Sequence, residues 1–345
     1  QKFGGTSVAD TARMKAAAKR AVDAHSAGNK IVVVVSAQGK MTDELLKQAY
    51  EINEEPSTRE LDSLLSTGEQ MSSALMAMAI HSLNSPAVSF AGRQIGITTD
   101  SLHTKARIVN INTDRILEEL SKNKIVVIAG YQGVDENDNI TTLGRGGSDT
   151  SAVAIAALLK ADMCDIYTDV DGIYTADPRI VSGARKLNMI SYDEILELAS
   201  MGAQVVHVRA IEFAKKYDVP IRVRSSFNND KGTLICKEVS EMENIVVSGA
   251  TVTKNDAKIT IIGVSDKPGQ AAKIFHELAK ENINVDMIIQ NISAHGLTDV
   301  TFTVQKDDLS LALETTERIK KEIQAKEIIA DDKIAKLSVV GIGMR

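Results

Sequence analysis

Short β-branched runs alternate with longer helical segments along the first two thirds of this chain. Five runs look apolar on both faces, as strands buried inside a sheet are, and they occupy residues 31–35, 87–90, 125–130, 164–168 and 220–225. Helical spacing of apolar residues marks the segments between them, at residues 10–25, 66–83, 106–123 and 149–161. This alternation predicts an α/β sandwich with a largely parallel central sheet.

A chain of 345 residues is long enough for more than one domain. Residues 225–244 lose periodicity and contain the turn-rich sequence FNNDKG, which indicates a linker. A new strand, helix, strand, strand, helix pattern follows and spans about 75 residues, the size of a small α/β domain. Lys336 onward resembles Lys258 onward, as the start of a second copy would. We therefore predict a first domain at residues 1–240, a linker and small domain at 241–328, and the first strand of an incomplete second copy at 329–345.

Charge and aromatic content narrow the class of partner. The net charge is −6, Lys and Arg are scattered, Trp is absent, and aromatic residues make up 3%. The sequence shows neither the basic face nor the aromatic side chains that nucleic-acid binding uses. Small molecules are therefore the expected substrates. The two cysteines match no metal-ligand spacing and are expected to be free thiols rather than a disulfide. With no signal peptide and no membrane-spanning apolar run, we expect a cytoplasmic protein that does not engage membranes.

The sequence TTLGRGGSDTSAVAIAALLKAD combines flexible, charged and apolar residues over positions 141–162. Gly144, Gly146 and Gly147 permit positive φ and a close approach of a ligand to the backbone. Ser148 or Asp149 could cap a helix beginning near Thr150, and that helix is apolar all round and therefore buried. A glycine loop before a helix start binds anions, and Arg145 adds a fork suited to carboxylate or phosphate. A plain capped turn remains the alternative.

The amino-terminal KFGGTS motif repeats this arrangement. A short strand leads to Gly4, Gly5, Thr6 and Ser7, with Lys2 just upstream. Backbone N–H groups and a lysine ammonium suit a triphosphate. The chain contains neither a Walker A motif nor a G-x-G-x-x-G motif opening a first βα unit, which disfavours P-loop enzymes and dinucleotide-dependent dehydrogenases.

Polar residues also follow other predicted strands, where open α/β sheets bind ligands. Ser36 and Thr42 follow the strand at residues 31–35, and Glu69 is expected at a helix start. The segment YTDVDGIYTADPR leaves another strand end and supplies six polar residues: Thr168, Asp169, Asp171, Tyr174, Asp177 and Arg179. Taken singly, each acidic residue could instead be a solvated loop residue or a cap.

Six ordered motifs, KFGGTS, SAQGKMTD, STGEQ, TTLGRGGSDTSA, TDVDGIYTADPR and PIRVRSSF, resemble those of the aspartate kinases in the amino-acid kinase superfamily. The later stretch ITIIGVSDKPGQAAKIF and its continuation resemble the ACT regulatory domains that these enzymes carry as a tandem pair. The resemblance covers nearly the whole chain. It implies the amino-acid kinase fold, a three-layer αβα sandwich, followed by a βαββαβ ACT domain.

The resemblance also implies an activity and its residues. Aspartate kinases transfer the γ-phosphoryl group of MgATP to the side-chain carboxylate of L-aspartate, so ATP and Mg²⁺ are the expected cofactors. Lys2 and Asp149 are the implied catalytic pair. The implied ATP site comprises Lys2, Gly4, Gly5, Ser7, Thr168, Asp169, Tyr174, Arg179 and Gln204. The implied aspartate site comprises Ser36, Thr42, Glu69, Arg145, Gly147 and Ser148. No side chain is assigned as a metal ligand.

One position departs from the family pattern. Many members have lysine where this chain has Gln204, which removes a charge from the implied nucleotide site. His207 is expected to be a packed or capping residue. Two alternatives remain open: a kinase acting on glutamate, acetylglutamate or a nucleoside monophosphate, and a non-catalytic amino-acid sensor built on the same fold.

The small domain carries its own predicted site. In SDKPGQAA, N–H groups around Gly269 could bind an α-carboxylate while Asp266 binds an ammonium group. Further residues there or on the next strand could complete the hydrogen bonds: Ala271, Asn282, Asn284, Gln290 and Asn291. We expect feedback control by lysine, or next by threonine. Pairing of ACT units should make the protein a homo-oligomer, a dimer or a tetramer, because so small a sheet exposes its edges.

Overall fold

The structure is a computed structural model that describes residues 1–203, 205–237, 249–292 and 297–341. The chain divides into two compact units, one formed by Gln1–Gly249 with Val339–Arg345 and the other by Ala250–Ser338. The predicted boundary at residues 240 and 241 lies outside the described residues.

Twelve strands and seven α-helices belong to the first unit as the structure describes it. The strands are β1 (Lys2–Phe3), β2 (Val32–Val35), β3 (Ala87–Phe90), β4 (Ile97–Thr99), β5 (Ile108–Ile111), β6 (Ile125–Ala129), β7 (Gln132–Val134), β8 (Ile140–Thr142), β9 (Cys164–Thr168), β10 (Met189–Ser191), β11 (Ile221–Ser225) and β12 (Thr233–Cys236). The helices are α1 (Thr11–Ser26), α2 (Met41–Ile52), α3 (Thr58–His81), α4 (Asp114–Ser121), α5 (Gly147–Leu159), α6 (Tyr192–Ser200) and α7 (Val208–Tyr217).

The central sheet has eight strands in the order β10-β12-β11-β9-β1-β2-β6-β3. All its described pairings are parallel except β11 with β12. Each of the five strands that the β-branched runs predict is present. The predicted α/β class with a mainly parallel sheet is therefore confirmed. A second sheet of four short strands, in the order β5-β4-β7-β8, lies in the same unit.

Helices cover the central sheet on both faces, which gives the three layers. Successive residues of β2 point to opposite sides, as the pleat of a strand requires. Val33 packs in one core with α1 and α3, whereas Val34 packs in the other with α5. Helix α5 is buried along most of its length, as its apolar sequence predicts.

Three local predictions are wrong. Helix α3 begins at Thr58, well before the predicted residue 66, because a polar, solvent-facing first turn hides the start of the apolar pattern. The predicted helix at residues 106–123 is β5 followed by the shorter α4, because residues 108–111 pair with β4. Strand β12 lies in the predicted linker, where it pairs with β10 and β11.

The second unit contains the predicted small α/β domain. The elements from Gly249 onward are β13 (Gly249–Thr253), β14 (Asp256–Ser265), α8 (Gln270–Lys280), β15 (Val285–Ile292), β16 (Leu297–Gln305), α9 (Leu309–Ile319), β17 (Glu327–Asp331) and β18 (Lys336–Val340). The first residue of β13 and the last two of β18 belong to the first unit. An antiparallel sheet in the order β15-β16-β14-β17 packs on α8 and α9. This is the βαββαβ order that the resemblance implies. β18 begins at Lys336, where the repeat predicts a strand, and it pairs with β13; its place in a second copy stays a prediction.

Two further findings concern the whole described chain. Both cysteines, Cys164 and Cys236, are free thiols, as expected. Within the described part, none of the helices combines the length and the apolar content that crossing a bilayer demands.

Candidate active site

The carboxyl ends of β9, β1, β2 and β6 lie side by side, because these four strands are parallel neighbours in the sheet. In open α/β sheets, ligands bind at this edge. Gly4 follows β1, Ser36 follows β2, Gly130 follows β6 and Asp169 follows β9. The fold therefore gathers at one edge several polar and glycine-rich segments that are remote in sequence.

Lys2 and Asp149 form an ion pair at this edge. The Nζ atom of Lys2 lies 2.6 Å from Oδ1 of Asp149, and their side chains are 11% and 13% exposed. Asp149 stands in the first turn of α5, so the pair joins strand β1 to the start of the buried helix. An ammonium group has three donors, and one carboxylate leaves the others available to a ligand. The pair therefore fixes a positive charge beside the glycine-rich loops.

Close packing requires glycine at one of the two positions after β1. A Cβ atom at Gly5 would lie 2.8 Å from the carbonyl oxygen of Ala37, so no larger residue fits there without movement. A Cβ atom at Gly4 would lie 3.5 Å from Nζ of Lys2, which is an ordinary van der Waals contact, so packing alone does not require glycine there. Ser7 is buried just beyond, and its hydroxyl accepts a hydrogen bond from the Ser226 hydroxyl. Ser226 belongs to the sequence motif PIRVRSSF, and no role was predicted for it from the sequence.

Helix α5 begins at Gly147 and not near Thr150, and its N-cap residue is Gly146. Ser148 and Asp149 therefore lie in the first turn, which corrects the prediction that one of them caps the helix. The cap makes no side-chain hydrogen bond. The Gly147 N–H donates to the Gly144 carbonyl at 2.9 Å. The next N–H groups of the first turn have no partner within a helix, so those of Ser148 and Asp149 can bind an anion.

The loop before α5 is held in a conformation that needs glycine. Gly144 and Gly146 have φ values of +76° and +68°. His207 packs directly on Gly146, where a Cβ atom would lie 2.1 Å from the imidazole Cγ. Burial lowers the pKa of His207, which favours its neutral form. His207 is thus a packed residue, as expected, and it fixes one side of the loop.

Arg145 lies between these two glycines and is exposed. In the ranges that the structure describes, no carboxylate comes within ion-pairing distance of its guanidinium group. Gly144 and Gly146 pack closely against Thr104 and His207 on either side of the residue, while its planar fork is left for a ligand. Such a fork matches a carboxylate or a phosphate in two parallel hydrogen bonds.

Glu69 occupies the middle of α3, which corrects its predicted position at a helix start. Its residue exposure is 3%, and its Oε1 atom accepts a hydrogen bond of 3.0 Å from the Ala37 N–H. Its Oε2 atom is buried and has no hydrogen-bond partner among the described residues. Burial raises the pKa of Glu69 from 4.5 to about 7, although the Ala37 N–H and the Lys2 charge act in the opposite direction. A buried carboxylate with one free oxygen is suited to receiving an ammonium group.

The raised pKa of Glu69 predicts a stability effect that depends on pH. The folded chain holds this proton more tightly than the unfolded chain, so stability falls as pH rises from about 4.5 to about 7. We expect Glu69→Gln to raise the free energy of unfolding by about 2 to 3 kcal/mol at pH 8, and by under about 1 kcal/mol at pH 5. Urea unfolding at both pH values measures this difference.

The matched control for this variant is Glu60→Gln on the same helix, whose side chain is 65% exposed. It should change stability little at either pH. If Glu69→Gln and the unaltered protein were equally stable at pH 8, the raised pKa of the buried Glu69 carboxyl group would be contradicted.

Ser36, Thr42 and Ser148 border the same edge. Ser36 is half-buried, and its N–H donates to the carbonyl of Phe3 at 3.1 Å, which ties the ends of β1 and β2 together. Thr42 is half-buried in the first turn of α2. Ser148 is 7% exposed, and a Cβ atom at Gly130 would meet its Oγ atom at 2.9 Å. All three hydroxyls thus belong to segments that surround the strand ends.

The segment after β9 carries the residues assigned to the nucleotide. Oγ1 of Thr168 donates to Oδ1 of Asp169 at 3.1 Å, and the Tyr174 hydroxyl donates to Oδ1 of Asp171 at 2.9 Å. That last bond raises the pKa of Tyr174. The hydrogen bonds fold the segment on itself beside β1.

Arg179 lies farther along the same segment, and its side chain is 87% exposed. Its guanidinium group binds both carboxylate oxygens of Asp177, at 2.8 and 3.0 Å, and this holds the pKa of Asp177 below its usual range. Arg179 is therefore engaged by its own loop. Gln204, the remaining residue assigned to the nucleotide, lies outside the described residues.

Helix α3 carries a second buried carboxylate, Asp62, that was not predicted from the sequence. Asp62 is fully buried on α3 and binds His103, Thr104 and Thr142. Its spacing of seven residues from Glu69 places both on one face of the helix, and that spacing is the signal that could have found it.

The second unit has a cavity of about 420 Å³ at the turn between β14 and α8. Four of the residues predicted for an effector site line it: Asp266, Gly269, Ala271 and Gln290. Asn282, Asn284 and Asn291 do not line it. Gln270 and Thr298 do, and each has a buried oxygen without a hydrogen-bond partner in the described ranges. The cavity therefore offers polar atoms that are ready for a small polar ligand.

Comparisons with known proteins agree with this architecture. Residues 1–225 match the amino acid kinase family, and residues 259–318 match the ACT domain. The chain is 51% identical to the aspartate kinase of Stutzerimonas stutzeri, over 100% of this chain and 84% of that protein. It resembles the solved structure of E. coli aspartokinase III in complex with aspartate and ADP (R-state), with 25% identity, a TM-score of 0.76, and coverage of 99% of this chain and 87% of the other. The same enzyme in complex with lysine and aspartate (T-state) gives 27% identity, a TM-score of 0.78, and coverage of 99% and 86%.

Proposed function

Because the chain belongs to the aspartate kinases of the amino acid kinase family, we propose that it transfers the γ-phosphoryl group of ATP to the side-chain carboxylate of L-aspartate. The products are 4-phospho-L-aspartate and ADP. This reaction is the first step in the biosynthesis of lysine, threonine and methionine. The observation that carries the proposal is the buried Lys2–Asp149 pair between two glycine loops, with Glu69 and Arg145 nearby in the same unit. Two free thiols suit the reducing cytoplasm, which is the compartment we infer.

The reaction needs positioning and charge more than proton transfer. The aspartate side chain is already ionised at pH 7, so its oxygen can attack the γ-phosphorus without a base. One bond forms between that oxygen and the phosphorus while the bond to the β-phosphate oxygen breaks, and ADP leaves with the electron pair. Both partners are anionic. The Lys2 ammonium, the first N–H groups of α5 and the amides after β1 supply the compensating field.

Aspartate has two charged groups on its α-carbon that the site must bind. Arg145 takes the α-carboxylate with its free fork, and Glu69 receives the α-ammonium on its unpartnered oxygen. The remaining assigned residues shape the space around the substrate with small or hydroxyl side chains: Ser36, Thr42, Gly147 and Ser148. Asp149 holds Lys2 in place.

The nucleotide lies along the glycine loop after β1 and the segment after β9. Its binding residues are Lys2, Gly4, Gly5, Ser7, Thr168, Asp169, Tyr174 and Arg179, with Gln204 in place of the family's lysine. Mg²⁺ would neutralise phosphate charge. Among the described residues no three His, Cys, Asp or Glu side chains form a metal-binding group. Mg²⁺ bound mainly by phosphates and water, with at most one or two carboxylates, fits that donor set.

Trapping the acyl phosphate as a hydroxamate tests the function directly. The enzyme is incubated with MgATP, hydroxylamine and either aspartate, glutamate or acetylglutamate. We expect hydroxamate with aspartate alone. Turnover of glutamate but not aspartate would identify a different kinase, and binding of an amino acid without any hydroxamate would identify a non-catalytic sensor.

The second unit is proposed to be the regulatory domain. The E. coli relative was solved with lysine as well as aspartate, and we propose that lysine, or next threonine, fills the cavity between β14 and α8. Asp266 would bind the ammonium group, while N–H groups near Gly269 would bind the carboxylate. Edge strand β15 exposes Met287, Ile288 and Ile289 at 42%, 54% and 46%, which suits pairing with another ACT unit in a homo-oligomer.

Effector binding gives a further prediction. Lysine should bind in calorimetry and inhibit phosphoryl transfer, and Asp266→Ala should weaken its binding by about tenfold or more, because a charge-assisted hydrogen bond is lost. Asp332→Ala, an exposed carboxylate outside the cavity, is the matched control. If neither lysine nor threonine binds or inhibits at about millimolar concentration, and Asp266→Ala changes nothing, the effector site is refuted.

A further inference from the structure

Asp62 is a fully buried carboxylate with an unusually complete set of partners. Its oxygens accept hydrogen bonds from Nδ1 of His103 at 2.8 Å, from the Thr104 N–H at 2.9 and 3.1 Å, and from the Thr142 hydroxyl. Burying a carboxylate without such partners is strongly unfavourable. The chain therefore supplies hydrogen-bond partners to a buried carboxyl group at a place where three separate segments meet.

Thr104, one of those partners, has a backbone conformation that is rare for its residue type. Its φ is +66°, in the left-handed region that β-branched residues avoid. Such strain persists only where surrounding contacts hold it, and it clusters at functional sites. The two hydrogen bonds from its N–H to Asp62 are contacts of this kind.

The strained residue touches the arginine loop. A Cβ atom at Gly144 would lie 2.8 Å from the Thr104 carbonyl oxygen, so the loop rests on this carbonyl immediately before Arg145. The two segments are also linked by the Ala106 N–H, which donates to the Thr142 carbonyl at 2.9 Å. Arg209 also links the two segments, because its guanidinium group donates to the carbonyls of Leu143 and Ala106.

We propose that Asp62 is a positioning residue that presents Arg145 to the substrate. It acts through Thr104, whose carbonyl supports Gly144, and through Thr142, which ends the strand leading into the same loop. Since α3 also carries Glu69, one helix sets the position of both groups that bind the charged ends of aspartate. The inference rests on the proposed function, because it takes Arg145 as the residue that binds the α-carboxylate.

The test is Asp62→Asn, which keeps the shape but replaces one of the two acceptor oxygens that the Thr104 N–H bonds to with an amide donor. We expect the KM for aspartate to rise about tenfold, with kcat and the KM for ATP each within about threefold of the unaltered enzyme. Glu60→Gln, exposed on the same helix, should leave all three constants unchanged. An aspartate KM within twofold, or a fall in kcat as large as the rise in KM, would overturn the inference.

A second substitution separates positioning from general stability. Glycine at residue 104 adopts positive φ without strain, so Asp62→Asn combined with Thr104→Gly should recover most of the lost affinity for aspartate. A double variant no better than Asp62→Asn would count against the proposed route through Thr104.

If Asp62→Asn does not fold, Thr142→Val takes its place, with Thr142→Ser as the control that keeps the hydroxyl. The valine variant should raise the aspartate KM, and the serine variant should not. Equal constants in both would refute the inference. Absence of hydroxamate from the unaltered enzyme would refute the proposed function, whereas normal turnover with unchanged KM in the variants would refute this inference alone.

Discussion

Lys2→Ala is expected to lower kcat by about three orders of magnitude and to change the aspartate KM far less. The Lys2 ammonium is fixed by Asp149 at 2.6 Å beside the glycine loop. Its charge is most valuable when negative charge spreads over the transferring phosphoryl group, so its loss is felt in the transition state more than in substrate binding. Steady-state kinetics of hydroxamate formation at saturating ATP measure the effect.

Two variants make this result interpretable. Lys19→Ala removes a lysine whose side chain is 67% exposed, and it should leave kcat unchanged. Lys2→Met combined with Asp149→Asn removes both charges of the buried pair, and so avoids leaving Asp149 without its partner. It should unfold near the temperature of the unaltered protein and remain inactive. A Lys2→Ala enzyme that keeps more than about a tenth of kcat, a barrier change under about 1.4 kcal/mol, would exclude Lys2 from the chemistry.

Arg145→Lys should raise the KM for aspartate about 30-fold, a loss on the order of 2 kcal/mol. A lysine ammonium is a point charge and cannot form the two parallel hydrogen bonds that a guanidinium group offers to a carboxylate. Because Arg145 is exposed and has no carboxylate partner among the described residues, its replacement should not disturb folding. Initial rates over a range of aspartate concentrations, at fixed saturating ATP, give the constant.

The control for Arg145→Lys is Arg93→Lys, an arginine with a 65% exposed side chain that pairs with Asp138. It should keep the KM of the unaltered enzyme. Full retention of aspartate affinity by Arg145→Lys, with normal kcat, would move Arg145 out of the substrate site.

Local sequence pattern was sufficient for the fold class of this chain and for five strands of its central sheet, but not for the second sheet or for β12. The parallel strands and the covering helices follow from runs of β-branched residues and from helical spacing, both of which reflect burial of neighbouring side chains. Lys2, Gly4 and the loop around Arg145 were also accessible, because glycine next to a charged residue at a strand end or a helix start indicates an anion site. These signals are contained within a few consecutive residues.

Contacts between distant residues could be decided only by the tertiary structure. The buried position of Glu69 in the middle of α3 depends on Ala37 from another segment, whose N–H donates to Glu69 and whose Cβ atom packs against Gly68. Asp62 accepts its hydrogen bonds from His103, Thr104 and Thr142, which are 41 to 80 residues away along the chain. Periodicity records which face of an element is buried but not which residues meet there, since that depends on the path of the whole backbone.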